Sequence, residues 1–223
     1  MENLRYIFLF LSFYLMSTME TNAQKTLSYL ALGDSYTIGE SLPLEDNFPH
    51  QTVALLRKKG ISMAAPEIVA KTGWTTDELM DAISKRSLNS SYNYVSLLIG
   101  VNNQYRGRDI ATYQKEFEQL LLQAIQFAGG KPEHVFVLSI PDWGATPFAE
   151  GRDRVKIASE IDHYNATNKK IAEENKIHYI EITAGTREAK KDLSLVANDK
   201  LHPSKKEYAR WAEKLSRAIE QTR

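Results

Sequence analysis

Cysteine is absent from all 223 residues. No disulfide and no lipid-modified cysteine can form, so the fold must be held by its core alone. Excess charge is missing too: 28 Lys and Arg balance 28 Asp and Glu, and no global field favours nucleic acid or an anionic membrane. A long apolar run is also lacking. The best stretch, Tyr6 to Met16, is interrupted by Ser12 and is too short to span a bilayer comfortably, so no stable membrane insertion is expected. There is no internal repeat, low-complexity tract or interdomain linker. Four of the histidines, His50, His134, His163 and His178, are scattered without ligand spacing, so no metal site is expected, and nothing calls for a cofactor.

What is present is enough for one core: 43% of the residues are hydrophobic and 25% charged, the profile of a single globular domain. The first residues, MENLRYIFLFLSFYLMSTMETNAQ, form a separate unit. Arg5 precedes the apolar run, and the small residues of Thr21-Asn22-Ala23 follow it in the pattern a signal peptidase reads. Residues 1–23 are therefore expected to be a signal peptide cleaved before Gln24, with residues 24–223 exported to the periplasm or beyond. An uncleaved N-terminal anchor is the alternative, because Glu2 weakens the leader's positive charge.

Beyond the leader, short apolar runs alternate with helical patterns. Leu27 to Leu32, Ile68 to Ala70, Tyr94 to Ile99, Val135 to Ile140 and Tyr179 to Ile182 read as strands, and strands separated by helices point to a parallel sheet in an α/β fold. The clearest helix follows Asp109, with Ile110, Tyr113, Phe117, Leu120, Leu121, Ala124 and Ile125 on one stripe before Gly129-Gly130. The last begins at Ser204-Lys205-Lys206-Glu207, read as a capping box, and turns Tyr208, Trp211, Leu215 and Ile219 to the core.

Ligands of an open parallel sheet bind beyond the carboxyl ends of its strands. At those ends stand Gly33-Asp34-Ser35, Lys71-Thr72-Gly73-Trp74, Gly100-Val101-Asn102-Asn103 and Pro141-Asp142-Trp143-Gly144, joined by Asp199-Lys200-Leu201-His202-Pro203 before the last helix. A serine needs a neighbouring base to become a nucleophile. His202 has Asp199 three positions before it, a spacing that lets the carboxylate reach Nδ1 and leaves Nε2 for the serine. Read alone, the pair equally fits a surface loop. Acyl transfer also needs donors for an oxyanion, and Gly73 N–H, the Asn102 amide and Ser35 N–H offer them without a metal. Each residue also has an ordinary reading as a turn or a cap.

The combination and its order resemble the GDSL, or SGNH, hydrolases: Gly33-Asp34-Ser35-Tyr36, Gly73, Gly100-Val101-Asn102 and Asp199-Lys200-Leu201-His202-Pro203 match the four signature segments. The resemblance implies a flavodoxin-like three-layer α/β/α sandwich with a five-stranded parallel sheet. It further implies a nucleophile at Ser35, a base at His202 oriented by Asp199, and an oxyanion hole of Ser35, Gly73 and Asn102. Two positions depart from the pattern: Tyr36 replaces the leucine of the name motif, and Asn103 replaces the aspartate of the usual G-x-N-D. Neither removes a reacting group. Tyr36, Trp74, Trp143 and Arg106 are candidate substrate contacts; for Arg106 and Arg108 a solvated loop is the competing reading.

The resemblance implies a carboxylic ester substrate, small-molecule, glycan or lipid, without choosing among acetyl esters, lysophospholipids and thioesters. Export argues against intracellular acyl-CoA, and the lack of a long apolar stripe favours short acyl groups. Two non-enzymatic readings stand beside it. A flavodoxin-like phosphate binder lacks its glycine-rich loop after strand one, whereas an inactive carbohydrate-binding relative would share every motif.

Overall fold

The structure, a computed structural model, describes residues 25–223; the expected signal peptide and its cleavage before Gln24 lie outside the described residues. The strands are β1 (Tyr29–Asp34), β2 (Glu67–Lys71), β3 (Tyr94–Leu98), β4 (Val135–Leu138) and β5 (His178–Ile180). They form one sheet in the order β2-β1-β3-β4-β5, and every pair is parallel. This is the flavodoxin-like order, whose ligand crevice opens between β1 and β3, where the chain's direction across the sheet reverses.

The described helices are α1 (Ser35–Ile38), α2 (Phe48–Lys58), α3 (Thr76–Ser84), α4 (Val101–Tyr105), α5 (Ile110–Phe127), α6 (Arg154–Glu174), α7 (Thr183–Thr186) and α8 (Lys205–Gln221). Right-handed crossovers place a helix on one face when the chain steps from β1 to β2 and on the other when it returns through β3, β4 and β5. Accordingly α2 packs on α8, while α5 lies beside both α3 and α6. The result is a three-layer α/β/α sandwich. Because both faces are covered, β1, β3 and β4 are buried at every residue, which is why their sequences read as continuous apolar runs rather than alternating ones. Among the described residues no helix is long and apolar enough to cross a membrane.

Both expected helices form, with Ile110 and Ile125 at the edge of the first stripe only partly buried. Tyr113, Phe117, Leu120, Leu121 and Ala124 of α5 are fully buried, and Asp109 caps the helix by accepting the Thr112 N–H at 2.8 Å. Tyr208, Trp211, Leu215 and Ile219 of α8 are likewise buried. The expected capping box at Ser204 is only half formed. Ser204 Oγ accepts the Glu207 N–H at 3.5 Å, but the Glu207 carboxylate turns inward to accept Trp211 Nε1–H at 2.9 Å. A buried indole N–H must find an acceptor, so the core takes the carboxylate and Ser204 N–H donates instead to Leu195 O.

Strand one also differs from expectation. It runs through Gly33 and Asp34, while Leu27 stands before it in an isolated bridge to Met63. Gly33 thus lies inside the strand, and it is glycine because nothing larger fits. A Cβ there would lie 2.1 Å from Thr37 Oγ1 and 2.4 Å from Leu98 O, closer than any methyl can approach. The missing side chain lets α1 fold back directly over β1 and β3.

Candidate active site

Ser35 is the first residue of α1, so the turn from strand to helix sets it on the carboxyl edge of the sheet. Its Oγ lies 2.9 Å from His202 Nε2, and His202 Nδ1 lies 2.6 Å from Asp199 Oδ2. A carboxylate only accepts, so Nδ1 carries the imidazole proton and Nε2 is left to accept from the serine hydroxyl. Ser35 and His202 are both buried. Asp199 is anchored from its own loop: Oδ1 accepts the N–H groups of Leu201 and His202, each at 2.9 Å. Lys200, at φ +66°, makes the left-handed turn that aims them there. Ser41 Oγ donates to Oδ2 at 2.7 Å. Although burial works the other way, these hydrogen bonds from Ser41, His202 and Leu201 hold the carboxyl down at about 2. Ser41 lies far from Asp199 in sequence, and nothing in the sequence signals it.

Asp142, the other acid on this rim, is committed elsewhere. It is buried, with Oδ1 accepting Gly144 N–H at 2.9 Å and Oδ2 paired with Arg187 Nε at 2.8 Å.

Asn102 and Asn103 lie on the short helix α4. Successive helical side chains diverge by about 100°, so the two amides part company. Asn103 is buried in the scaffold: its Oδ1 accepts Thr76 N–H at 3.1 Å and its Nδ2 donates to Thr76 Oγ1 at 2.7 Å. Asn102 Nδ2 instead faces the rim, donating to Trp74 O at 3.0 Å and to Asp34 Oδ2 at 3.3 Å. One amide thereby ties together the residue before Ser35 and the loop that carries Gly73. Gly73 itself sits at φ +84°, a left-handed conformation that a side chain would strain.

Arg106 belongs to that scaffold. Its Nη2 donates to Gly73 O at 2.5 Å and its Nη1 pairs with Glu78 at 3.3 Å, so it clamps the glycine loop. Arg108 reaches Asp77 only at 3.9 Å, in an exposed pair.

A cavity of about 150 Å³ opens over Ser35 and His202, lined also by Tyr36, Val101, Asn102, Tyr105, Trp143, Phe148 and Leu201. Tyr36 and Trp143 are thus where the sequence reading expected substrate contacts. Trp74 and Arg106 lie outside this lining. Tyr105 and Phe148 escaped the sequence reading because neither stands at a strand end: Tyr105 closes α4, and Phe148 sits in a 3-10 turn. Trp143 packs edge-on against both, with ring centroids 5.2 Å and 6.0 Å apart. Among the described residues no cluster of three or more His, Asp or Glu side chains is placed to hold a metal ion.

Asp34, fully buried beneath this site, supplies a test in pH. Burial pushes its carboxyl up to about 7, against hydrogen bonds from Tyr36 N–H and the Asn102 amide. The folded state therefore holds this proton more tightly than the unfolded chain, whose aspartate titrates near 3.9. The stability so contributed is full below about 4 and is lost as pH rises through about 7. Asp34→Asn removes that dependence. Its melting temperature relative to the parent is expected to climb between pH 4 and pH 7.5 and level off above. A difference that stays constant across the range would show that Asp34 titrates normally.

The fold is shared with solved structures, two of them named as ester-cleaving enzymes. TesA superposes with a TM-score of 0.69 at 16% identity, covering 88% of this chain and 99% of that one. Axe2, an acetylxylan esterase from Geobacillus stearothermophilus, gives 0.68 at 20%, covering 86% and 94%. The lipase/acylhydrolase from Enterococcus faecalis gives 0.68 at 17%, covering 88% and 96%. At such identities the likeness is one of fold. No curated protein matches the chain in sequence. The serine after β1, the asparagine after β3 and the Asp–His loop before the last helix nevertheless fall within one continuous match over residues 31–210, and by that match the chain belongs to the GDSL-like Lipase/Acylhydrolase family.

Proposed function

We propose that the protein hydrolyses carboxylic esters through an acyl-enzyme on Ser35, with His202 as the base, Asp199 as its orienting partner, and Ser35 N–H, Gly73 N–H and the Asn102 amide around the oxyanion. Family membership supports ester hydrolysis in general. The observation that carries the finer reading is the unbroken chain Asp199–His202–Ser35, at 2.6 and 2.9 Å.

His202 Nε2 takes the Ser35 proton as Oγ attacks the ester carbonyl, and the Asp199 carboxylate stabilises the imidazolium that forms. Negative charge gathers on the carbonyl oxygen. The Ser35 N–H, at the start of α1, has no partner within its helix, and the Asn102 amide can turn a donor from Asp34 or Trp74 toward the oxyanion. His202 then passes the proton to the leaving alcohol, and a water molecule repeats the sequence to release the acid and free Ser35.

The substrate proposed is an ester of a short acyl group, such as acetyl, on a glycan or a small lipid, met after export. The aromatic wall of Tyr105, Trp143 and Phe148 suits an uncharged group beside the ester: ring faces accept the apolar face of a sugar or an alkyl group. It equally favours a second reading as a lysophospholipase or thioesterase, and Axe2, by its name, cleaves acetyl groups from xylan.

A fluorophosphonate reagent is expected to label Ser35, and a series of 4-nitrophenyl esters should show kcat/KM falling as the acyl chain lengthens. Chelators should change neither. No labelling of folded protein would favour the inactive carbohydrate binder, and a rise in kcat/KM toward long chains would favour the lipid reading.

Asn102→Ala is expected to lower kcat by roughly 10² to 10³ with little change in KM, the usual effect of losing one oxyanion donor. Asn103→Asp should stay within a few-fold of the parent, since a carboxylate can still accept the Thr76 N–H. Equal losses in both variants would mean that α4, rather than one amide, is what the reaction feels.

A further inference from the structure

We propose that Gln104 is a positioning residue that sets substrate selectivity by fixing the Trp143 indole in the wall of the active-site cavity. The proposal rests on the ester-hydrolase reading, and on a hydrogen-bond chain that no step of that chemistry uses. Trp143 Nε1 donates to Gln104 Oε1 at 2.7 Å, and Gln104 Nε2 donates to Glu160 Oε2, also at 2.7 Å. Gln104 is buried, and its side chain runs from the cavity wall to the surface of α6.

The direction of this chain is unambiguous. An indole N–H only donates and a carboxylate only accepts, so the amide between them must present its oxygen to Trp143 and its nitrogen to Glu160. Glutamine satisfies both ends; leucine would satisfy neither and glutamate only one. The backbone at Trp143 is held as well, by Asp142 capping the turn and pairing with Arg187. Trp143 is thereby pinned at both ends, and it in turn backs the half-exposed rings of Tyr105 and Phe148. Those rings carry no catalytic hydrogen bond. Moving them changes which acyl or alcohol group fits, while Ser35, His202 and Asp199 stay joined.

Gln104→Leu leaves the indole N–H without an acceptor, and the ring must tilt to find one. Assayed with 4-nitrophenyl acetate and 4-nitrophenyl hexanoate, this variant is expected to change the hexanoate-to-acetate ratio of kcat/KM by about tenfold or more. The change should come through KM, with kcat on acetate within about threefold of the parent. Gln104→Glu sets two carboxylates against each other and should disturb the ratio too. The double variant Gln104→Glu/Glu160→Gln rebuilds the chain with the amide at the surface end, and is expected to restore the parent ratio within about twofold. Should Gln104→Leu fail to fold, Glu160→Ala loosens the same chain from its exposed end and is expected to shift the ratio in the same sense by a smaller factor.

An unchanged ratio in folded Gln104→Leu or Glu160→Ala overturns the proposal. So does a loss of kcat shared equally by both esters, which would place the effect in α4 and Asn102, and so does a double variant that rescues nothing. If the parent cleaves neither ester, the hydrolase reading fails by itself. The chain is then judged by the Trp143 indole N–H resonance in NMR spectra: it should move in Glu160→Ala, and an unmoved resonance refutes the coupling.

Discussion

Ser35→Ala is expected to lower ester turnover by roughly 10⁵ to 10⁶, the scale on which serine hydrolases lose kcat when the nucleophile goes. The reason is local. On the proposed mechanism, removing Oγ takes away the attacking atom, while leaving His202 bonded to Asp199 at 2.6 Å and the proposed oxyanion donors in place. Substrate should still bind, so KM stays near the parent value, and fluorophosphonate labelling should vanish. The fold should be indifferent: Ser35 Oγ makes its one side-chain hydrogen bond to His202, at 2.9 Å, and alanine fills nearly the same space. A folded Ser35→Ala protein that keeps more than about a tenth of parental turnover would remove Ser35 from the mechanism.

Asp199→Asn should cost up to roughly 10⁴ in kcat, by a different route. Asp199 Oδ1 accepts two backbone N–H groups, from Leu201 and His202, and an asparagine must keep its oxygen there to satisfy them. Its Nδ2 then faces His202 Nδ1, a donor against a donor. The imidazole escapes by moving its proton to Nε2, and in that tautomer it cannot take the proton of Ser35. The loss falls short of the full factor to the degree that solvent reaches this loop, since the Asp199 side chain is 26% exposed and water can relieve part of the mismatch.

The same substitution changes acid stability. Asp199 is held at about 2 in the folded state, below its value in the unfolded chain, so its contribution is present above about 4 and is lost as pH falls toward about 2. Asp199→Asn should flatten acid unfolding in that window. The window lies below the one assigned to Asp34, so the two aspartates can be separated in one titration series. Unchanged turnover in Asp199→Asn would transfer the orienting role to another group, and Asp142, locked to Arg187, is poorly placed to assume it.

Two features made much of this legible in advance. Strands buried on both faces need uninterrupted apolar runs, so β3 and β4 could be read directly from Tyr94 and Val135 onward, and an α/β alternation implies a parallel sheet. In such a sheet, the residues just past each strand must meet at one rim. That is why Ser35, Gly73 and Asn102 could be gathered from distant positions, and why the three-residue step from Asp199 to His202 could be read as a local contact.

What the sequence left undecided depended on partners distant in the chain. Ser204-Lys205-Lys206-Glu207 has the composition of a capping box, yet the Trp211 indole one turn on competes for Glu207 and wins, because a buried N–H without an acceptor costs more than an exposed one. Gly33 stands at a strand end in the sequence and proved to be a close packing contact with Thr37 and Leu98. For Arg106 the sequence allows a substrate contact or a solvated loop, but the Gly73 carbonyl and Glu78 hold it.

The local order of the chain, by itself, determined the alternation of strands and helices and the rim on which the candidate site stands, since each follows from periodicity, whereas the three-layer arrangement and the choice of an Asp199–His202 pair over a surface loop came from the resemblance. Tertiary structure alone decided which aromatic rings wall the cavity, that Ser41 completes the bonding of Asp199, and that Gln104 joins Trp143 to Glu160. Those contacts cross between separate loops and helices. Their strength comes from burial and from donor–acceptor matching that exist only once the layers have closed.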